Sequence, residues 1–122
     1  VADAAGPLLV EGVGGVMAPV DDGRTVLDWM ADLGLPAILV AGTYLGTISH
    51  ILTAHAVLRA RGLRVAALVL SQTPGGTVPP ADTVAALAPF LDGLPVLHLP
   101  RLPAGRFDHP AIAELAGLLS AA

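Results

Sequence analysis

Pro36-Ala-Ile-Leu-Val-Ala41 is an apolar run without alternation, the pattern of a parallel strand covered on both faces. It passes through a loop, Gly42 to Gly46, into a helix that starts near Thr47 or Ser49 as N-cap and continues through Ile51, Leu52, Val57 and Leu58. Arg59 and Arg61 fall in its last turn before Gly62, where cations suit the negative end of the helix dipole. Arg64-Val-Ala-Ala-Leu-Val-Leu70 then reads as another covered strand, so this central stretch is a β-α-β unit. Working toward the start, Thr25-Val-Leu-Asp28 has capping-box spacing, Val26, Leu27, Met30 and Leu33 recur at helical intervals, and Gly34 stands where a helix stops. Before it, Pro7-Leu-Leu-Val10 reads as a buried strand that ends at Glu11 and the glycines Gly12, Gly14 and Gly15. Working toward the end, Thr73 to Pro80 is a loop, Asp82 to Leu91 a helix, and Leu94-Pro-Val-Leu-His-Leu99 a strand. Asp108 is placed to cap a last helix that tolerates Pro110 in its first turn and runs through Ile112, Leu115 and Leu118. The order β-α-β-α-β-α-β-α predicts one α/β domain over residues 1–122, a mainly parallel sheet with right-handed crossovers and helices on both faces.

Composition narrows the function. With 54% hydrophobic and 13% charged residues, the 122-residue chain is too apolar for disorder and long enough for one core. No apolar run approaches the ~20 residues that span a bilayer, and Val1-Ala-Asp3 has no basic leader. Six arginines against ten carboxylates, a formal charge of −4, argue against nucleic-acid binding. The absence of cysteine removes thiol chemistry and fits a reducing, cytoplasmic setting. The absence of lysine removes a Walker A loop, whose lysine reaches the nucleotide phosphates. Val1 is not an initiator methionine, and the first apolar run arrives after about six residues, which suggests either trimmed ends or the second half of something larger.

In an open parallel sheet, ligands bind beyond the carboxyl ends of the strands. Four places answer that description: Glu11 with its glycines, the Gly42 to Ser49 turn, Ser71-Gln72, and Pro100-Arg101. Glu11 is a hard oxygen donor beside glycine-freed amides, suited to Mg²⁺ with bound phosphates, or equally a carboxylate that accepts loop amides. Gly46-Thr-Ile-Ser49 opens a helix, an anion site by its free amides and dipole, with two hydroxyls that serve as donors or as ordinary caps. His50 and His55 are five apart and do not form an i, i+4 metal pair. Met17 occupies the third-glycine position of a dinucleotide loop, and Ser71 and Ser120 lack the glycines of a nucleophile elbow. Trp29 and Tyr44 are too few for a base-stacking platform.

Leu8-Leu-Val-Glu-Gly-Val-Gly-Gly15, Pro19, Leu35-Pro-Ala-Ile-Leu-Val40, Leu45-Gly-Thr-Ile-Ser-His50, Leu58-Arg-Ala-Arg-Gly62 and Val65 to Leu70, in that order, resemble the second half of dethiobiotin synthase. The resemblance covers roughly residues 7 to 71 and implies a partial P-loop NTPase-like fold without the P-loop half. It also implies the family's reaction, closure of the ureido ring of dethiobiotin from diaminopelargonic acid, carbon dioxide and ATP with Mg²⁺. By the same resemblance Glu11 is the Mg²⁺ ligand and lies by the nucleotide, and Gly14 approaches both substrate and nucleotide. Gly46, Thr47, Ile48 and Ser49 receive the substrate carboxylate across a homodimer built on the helix over residues 47–61. The resemblance likewise implies that Ser71 and Pro100 contact the nucleotide. The family usually has asparagine where Ser49 and Ser71 stand; serine keeps one hydrogen bond but lacks an amide's paired donor and acceptor. The family's P-loop lysine, carbamate lysine and metal-sharing aspartate belong to the half that is not in this sequence.

These features predict a dethiobiotin-synthase-like portion that acts only with a P-loop-bearing N-terminal half. The alternatives are a non-catalytic α/β dimerisation or ligand-binding module and one half of a cobyrinate-type ATP-dependent amide-forming enzyme. Glu11, Thr47, Ser71 and Pro100 are expected along one edge of the strand ends.

Overall fold

The computed structural model describes residues 8–76 and 78–120. Its first helix, α1 (Val26–Leu33), starts after Thr25 as the sequence spacing predicts. The Asp28 carboxylate accepts hydrogen bonds from the Thr25 amide and hydroxyl, both at 2.9 Å. Gly34 ends α1 at φ 63°, a left-handed conformation that side chains resist, and its amide reaches the Met30 carbonyl.

The two long apolar runs form neighbouring strands. β1 (Ala37–Gly42) pairs in parallel with β2 (Val65–Ser71), and the crossover between them is α2 (Thr47–Ala60). β2 pairs on its other side with β3 (Val96–Leu99), again in parallel, which gives a sheet ordered β1-β2-β3. Between β2 and β3 the chain forms α3 (Pro80–Leu87) and a single 3₁₀ turn (Ala88–Phe90). The last helix is α4 (Pro110–Ser120). The fold is therefore α/β with a parallel sheet, as expected.

Alternation along β2 sorts the helices onto its two faces. Leu68 and Leu70, fully buried, join Ile51 of α2, Leu87 of α3 and Leu91 in the main core, with Leu39, Ala41 and Val96 packed beside them. Ala67, Val69 and Leu97 point the other way and are also buried, and α4 lies against β2 and β3. A second cluster, Leu27, Leu58 and Leu63, fastens α1 to the end of α2. Over β1 the cover is incomplete, and Val40 is 63% exposed.

Three expectations need correction. Leu8–Val10 form no strand, and Leu9 is 75% exposed; Pro7 lies outside the described residues. An apolar run becomes a parallel strand only with a neighbour to complete its hydrogen bonds, and among the described residues none pairs with it. Among the described residues the order thus opens on a helix and carries three strands rather than four. Neither Thr47 nor Ser49 caps α2: Gly46, at φ 93°, is the N-cap. Asp108 does not cap α4, because Arg106 engages its carboxylate; His109 Nδ1 instead accepts the Ala111 amide at 3.2 Å.

Candidate functional site

Gly42, Ser71 and Leu99 stand side by side in register, so the loops that leave β1, β2 and β3 emerge at one edge of the sheet. From Gly42 the chain turns through Thr43, Tyr44 and Leu45 and enters α2 at Thr47. The Thr47 amide bonds the Tyr44 carbonyl and the His50 amide bonds the Gly46 carbonyl. The amides between them, those of Ile48 and Ser49, have no backbone acceptor among the described residues. Those two donors at the positive end of a fourteen-residue helix suit a carboxylate or phosphate oxygen. Ser49 is exposed and can add its hydroxyl. Thr47 does not: its side chain is buried and its hydroxyl donates to the Gly42 carbonyl at 2.6 Å. The expectation of two free hydroxyls is therefore reduced to one.

Beside this opening, the Tyr44 hydroxyl meets His50 Nδ1 at 2.9 Å, with ring centroids 5.7 Å apart. Below it, two threonines exchange hydrogen bonds. The Thr43 amide donates to Thr73 Oγ1 and the Thr73 amide to Thr43 Oγ1, each at 3.0 Å. Sequence reasoning missed this pair. The available signal was a threonine near the start of each loop that follows a covered strand, with glycines close by.

Ser71 and Pro100 come together as expected. They line a hollow of about 270 Å³ with Arg101, Arg106, Phe107 and Ile112, at the ends of β2 and β3. Gln72 ties its wall together: its amide bonds the Leu99 carbonyl at 2.9 Å and its Oε1 accepts the Arg101 amide at 3.1 Å. The Gln72 side-chain oxygen is thus committed, and its amide nitrogen remains a donor. Arg106 and Asp108 form an exposed ion pair at the rim, which lowers the Asp108 pKa and raises that of Arg106.

Glu11 and Gly14 belong to a separate segment. Gly14 adopts φ 78° in a tight turn, and a side chain there would crowd Ala18. Gly12 packs closely on Val26, so the loop leans on the start of α1. Glu11 is exposed, and among the described residues no hydrogen bond or ion pair joins it to Ser71, Pro100 or the α2 opening. Among the described residues its carboxylate has no hydrogen-bond or ion-pair partner, and a single carboxylate is compatible with Mg²⁺, which usually takes one or two protein oxygens and completes its shell with water and phosphate. No group of three or more His, Asp or Glu side chains gathers among the described residues.

A second hollow, about 400 Å³, opens on α2 between Leu52, His55, Ala56, Arg59 and Phe90. Burial holds the His55 pKa below its ordinary value; Arg59 adds to this and Asp92 opposes it. No described helix is long and apolar enough to cross a membrane.

Comparison with known proteins fits this geometry. The family model described as an AAA domain matches residues 1–105. The chain belongs to the AAA domain family. Similar proteins include the ATP-dependent dethiobiotin synthetases of Caulobacter sp. (strain K31), 57% identical over 79% of this chain and 41% of that protein, and of Acidiphilium cryptum, 52% identical over 75% and 41%. A third, from Caulobacter vibrioides, is 49% identical over 90% of this chain and 49% of its own length. This AAA-family chain thus spans less than half the length of these relatives, and its likeness to dethiobiotin synthetases is that of a portion.

Proposed function

We propose that the chain is the carboxyl-terminal portion of an ATP-dependent dethiobiotin synthetase and acts only with a P-loop-bearing N-terminal half. The observation that carries this reading is the pair of amides, Ile48 and Ser49, with no backbone acceptor among the described residues, at the same sheet edge as the Ser71–Pro100 hollow, in a chain 57% identical over 97 residues to a dethiobiotin synthetase. The helix opening would take the carboxylate of diaminopelargonic acid, and the hollow would take the nucleotide end distant from the reacting phosphate. Glu11 would hold Mg²⁺, which when bound supplies charge neutralisation at the triphosphate. Gly14 would let the backbone approach substrate and nucleotide.

Charge explains the need for a second half. Phosphoryl transfer requires preorganised cations on the β- and γ-oxygens, and one such group, an arginine finger, is worth roughly 10³–10⁵ in kcat. This sequence has no lysine to supply them. In the assembled protein, α2 of two copies would meet, with Thr53, Ala54, Ala56 and Ala60 permitting close approach, so that each carboxylate site serves the neighbouring copy.

Titration of ¹⁵N-labelled chain with diaminopelargonic acid, followed by NMR, tests the carboxylate site. The Ile48 and Ser49 amides are expected to shift first and most. Shifts confined to other regions, or none at millimolar ligand, would refute the assignment.

A further inference from the structure

We propose that the reciprocal Thr43–Thr73 hydrogen bonds form a clasp that positions the opening of α2 against the Ser71–Gln72 strand end, so that the two subsites are held as one rigid unit. The ligands assigned to those subsites rest on the function proposed above; the mechanical coupling does not.

Adjacent strands fix only where their loops begin. Gly42 and Ser71 are register partners, and beyond them β1 and β2 no longer pair. One and two residues further on, Thr43 and Thr73 restore a two-bond link in which each residue donates its amide and offers its hydroxyl oxygen. The link is partly buried: Thr43 is only 2% exposed and Thr73 is half-buried. Its surroundings are shaped to it. A Cβ at Gly42 would come 2.5 Å from Thr73 Oγ1, and one at Gly76 would come 2.5 Å from the Thr43 carbonyl oxygen. Both positions therefore require glycine for the two loops to close on each other.

The clasp continues in both directions. Toward α2, the Thr47 hydroxyl bonds the Gly42 carbonyl, so the residue before Thr43 is tied to the first residue of the helix. Toward β3, the neighbour of Thr73, Gln72, bonds the Leu99 carbonyl and the Arg101 amide, which tie it to the wall of the Ser71–Pro100 hollow. Thr43 and Thr73 are thus positioning residues. They touch neither subsite, and each holds a loop that carries one.

Valine keeps the shape of threonine but removes the acceptor, which leaves a partly buried backbone amide without its partner. Amide hydrogen exchange of the 122-residue chain reads the consequence residue by residue. Thr73→Val is expected to speed exchange of the Thr43, Thr47 and His50 amides roughly tenfold, the scale of one lost buried hydrogen bond, and to leave Leu115 of α4 unchanged. Thr73→Ser, which keeps the hydroxyl, should stay within about twofold of wild type. Because the clasp opens as one unit, each single variant should speed the Gln72, Gly76 and Arg101 amides as well as those of Thr43, Thr47 and His50, and the double variant should go no further than either single one. Thr47 and His50 rates that stay at the wild-type value in Thr73→Val, or effects that multiply in the double variant, would overturn the clasp. Should the valine variants fail to fold, the wild-type chain decides. One opening event requires the Thr43 and Thr73 amides to share one protection factor, and a difference above about tenfold would overturn the proposal. Absence of diaminopelargonic acid binding in the wild type would refute the proposed function while the exchange pattern still judges the clasp.

Discussion

The Thr47 hydroxyl donates to the Gly42 carbonyl across the turn that joins β1 to α2, at 2.6 Å. A hydroxyl at the first residue of a helix is conventionally assigned to the ligand or the cap. Here it closes the turn beneath the helix, so in the proposed carboxylate site only the backbone amides above it would serve as donors. Thr47→Val is therefore expected to lower stability by about 1–3 kcal/mol, because the Gly42 carbonyl loses its partner, and Thr47→Ser to lower it less. Urea denaturation of the three proteins checks this.

Ser49 has the opposite role, with an exposed hydroxyl beside the amides that have no backbone acceptor among the described residues. Ser49→Ala should weaken diaminopelargonic acid binding about three- to tenfold with little change in melting temperature, the scale of one solvent-accessible hydrogen bond to a charged group. Ser49→Asn, the residue usual in the synthase family, should bind at least as tightly as wild type. Calorimetric titration distinguishes the three.

His55 makes stability depend on pH. Its pKa is lowered in the folded chain, chiefly by burial, so the unfolded chain binds more protons between the folded value and the ordinary value near 6.5. The sign follows: the contribution of neutral His55 is complete above about pH 6.5 and is lost as the pH falls toward the folded pKa. The melting temperature is expected to fall between pH 7.5 and 5.5, and His55→Gln should flatten that fall. Parallel thermal scans of both proteins measure it.

The main core sets the scale for such effects. Leu70 is fully buried on β2 against α2 and α3, and Leu70→Ala should cost about 2–5 kcal/mol. A chemical-denaturation midpoint unchanged by that substitution would contradict the assigned packing.

What could be read from the sequence follows from locality. Pro36–Ala41 and Arg64–Leu70 are apolar on both faces, and each became a strand within one residue of its expected bounds. Thr25, Asp28 and Gly34 carry the capping and stop chemistry of α1 within a few residues, so that helix was legible too. Leu8–Val10 has the same composition as those strands, but strand pairing depends on a neighbour that composition does not reveal. Asp108 was misread because Arg106, two residues away, competes for its carboxylate. At the site, Ser71 and Pro100 could be brought together by strand order alone. The Thr43–Thr73 link could not, because thirty residues separate its partners and only the folded register brings them into contact.

The central claim, that this portion contributes binding surfaces and needs the P-loop half for chemistry, is tested most directly by ring closure. The purified chain is assayed with diaminopelargonic acid, bicarbonate, ATP and Mg²⁺, alone and with the P-loop-bearing portion of the Caulobacter sp. (strain K31) synthetase, 57% identical over the shared region. The account predicts no dethiobiotin from the chain alone and turnover from the mixture, reduced by Glu11→Gln. Dethiobiotin formed by the isolated chain, or none from a mixture shown to associate, would contradict it.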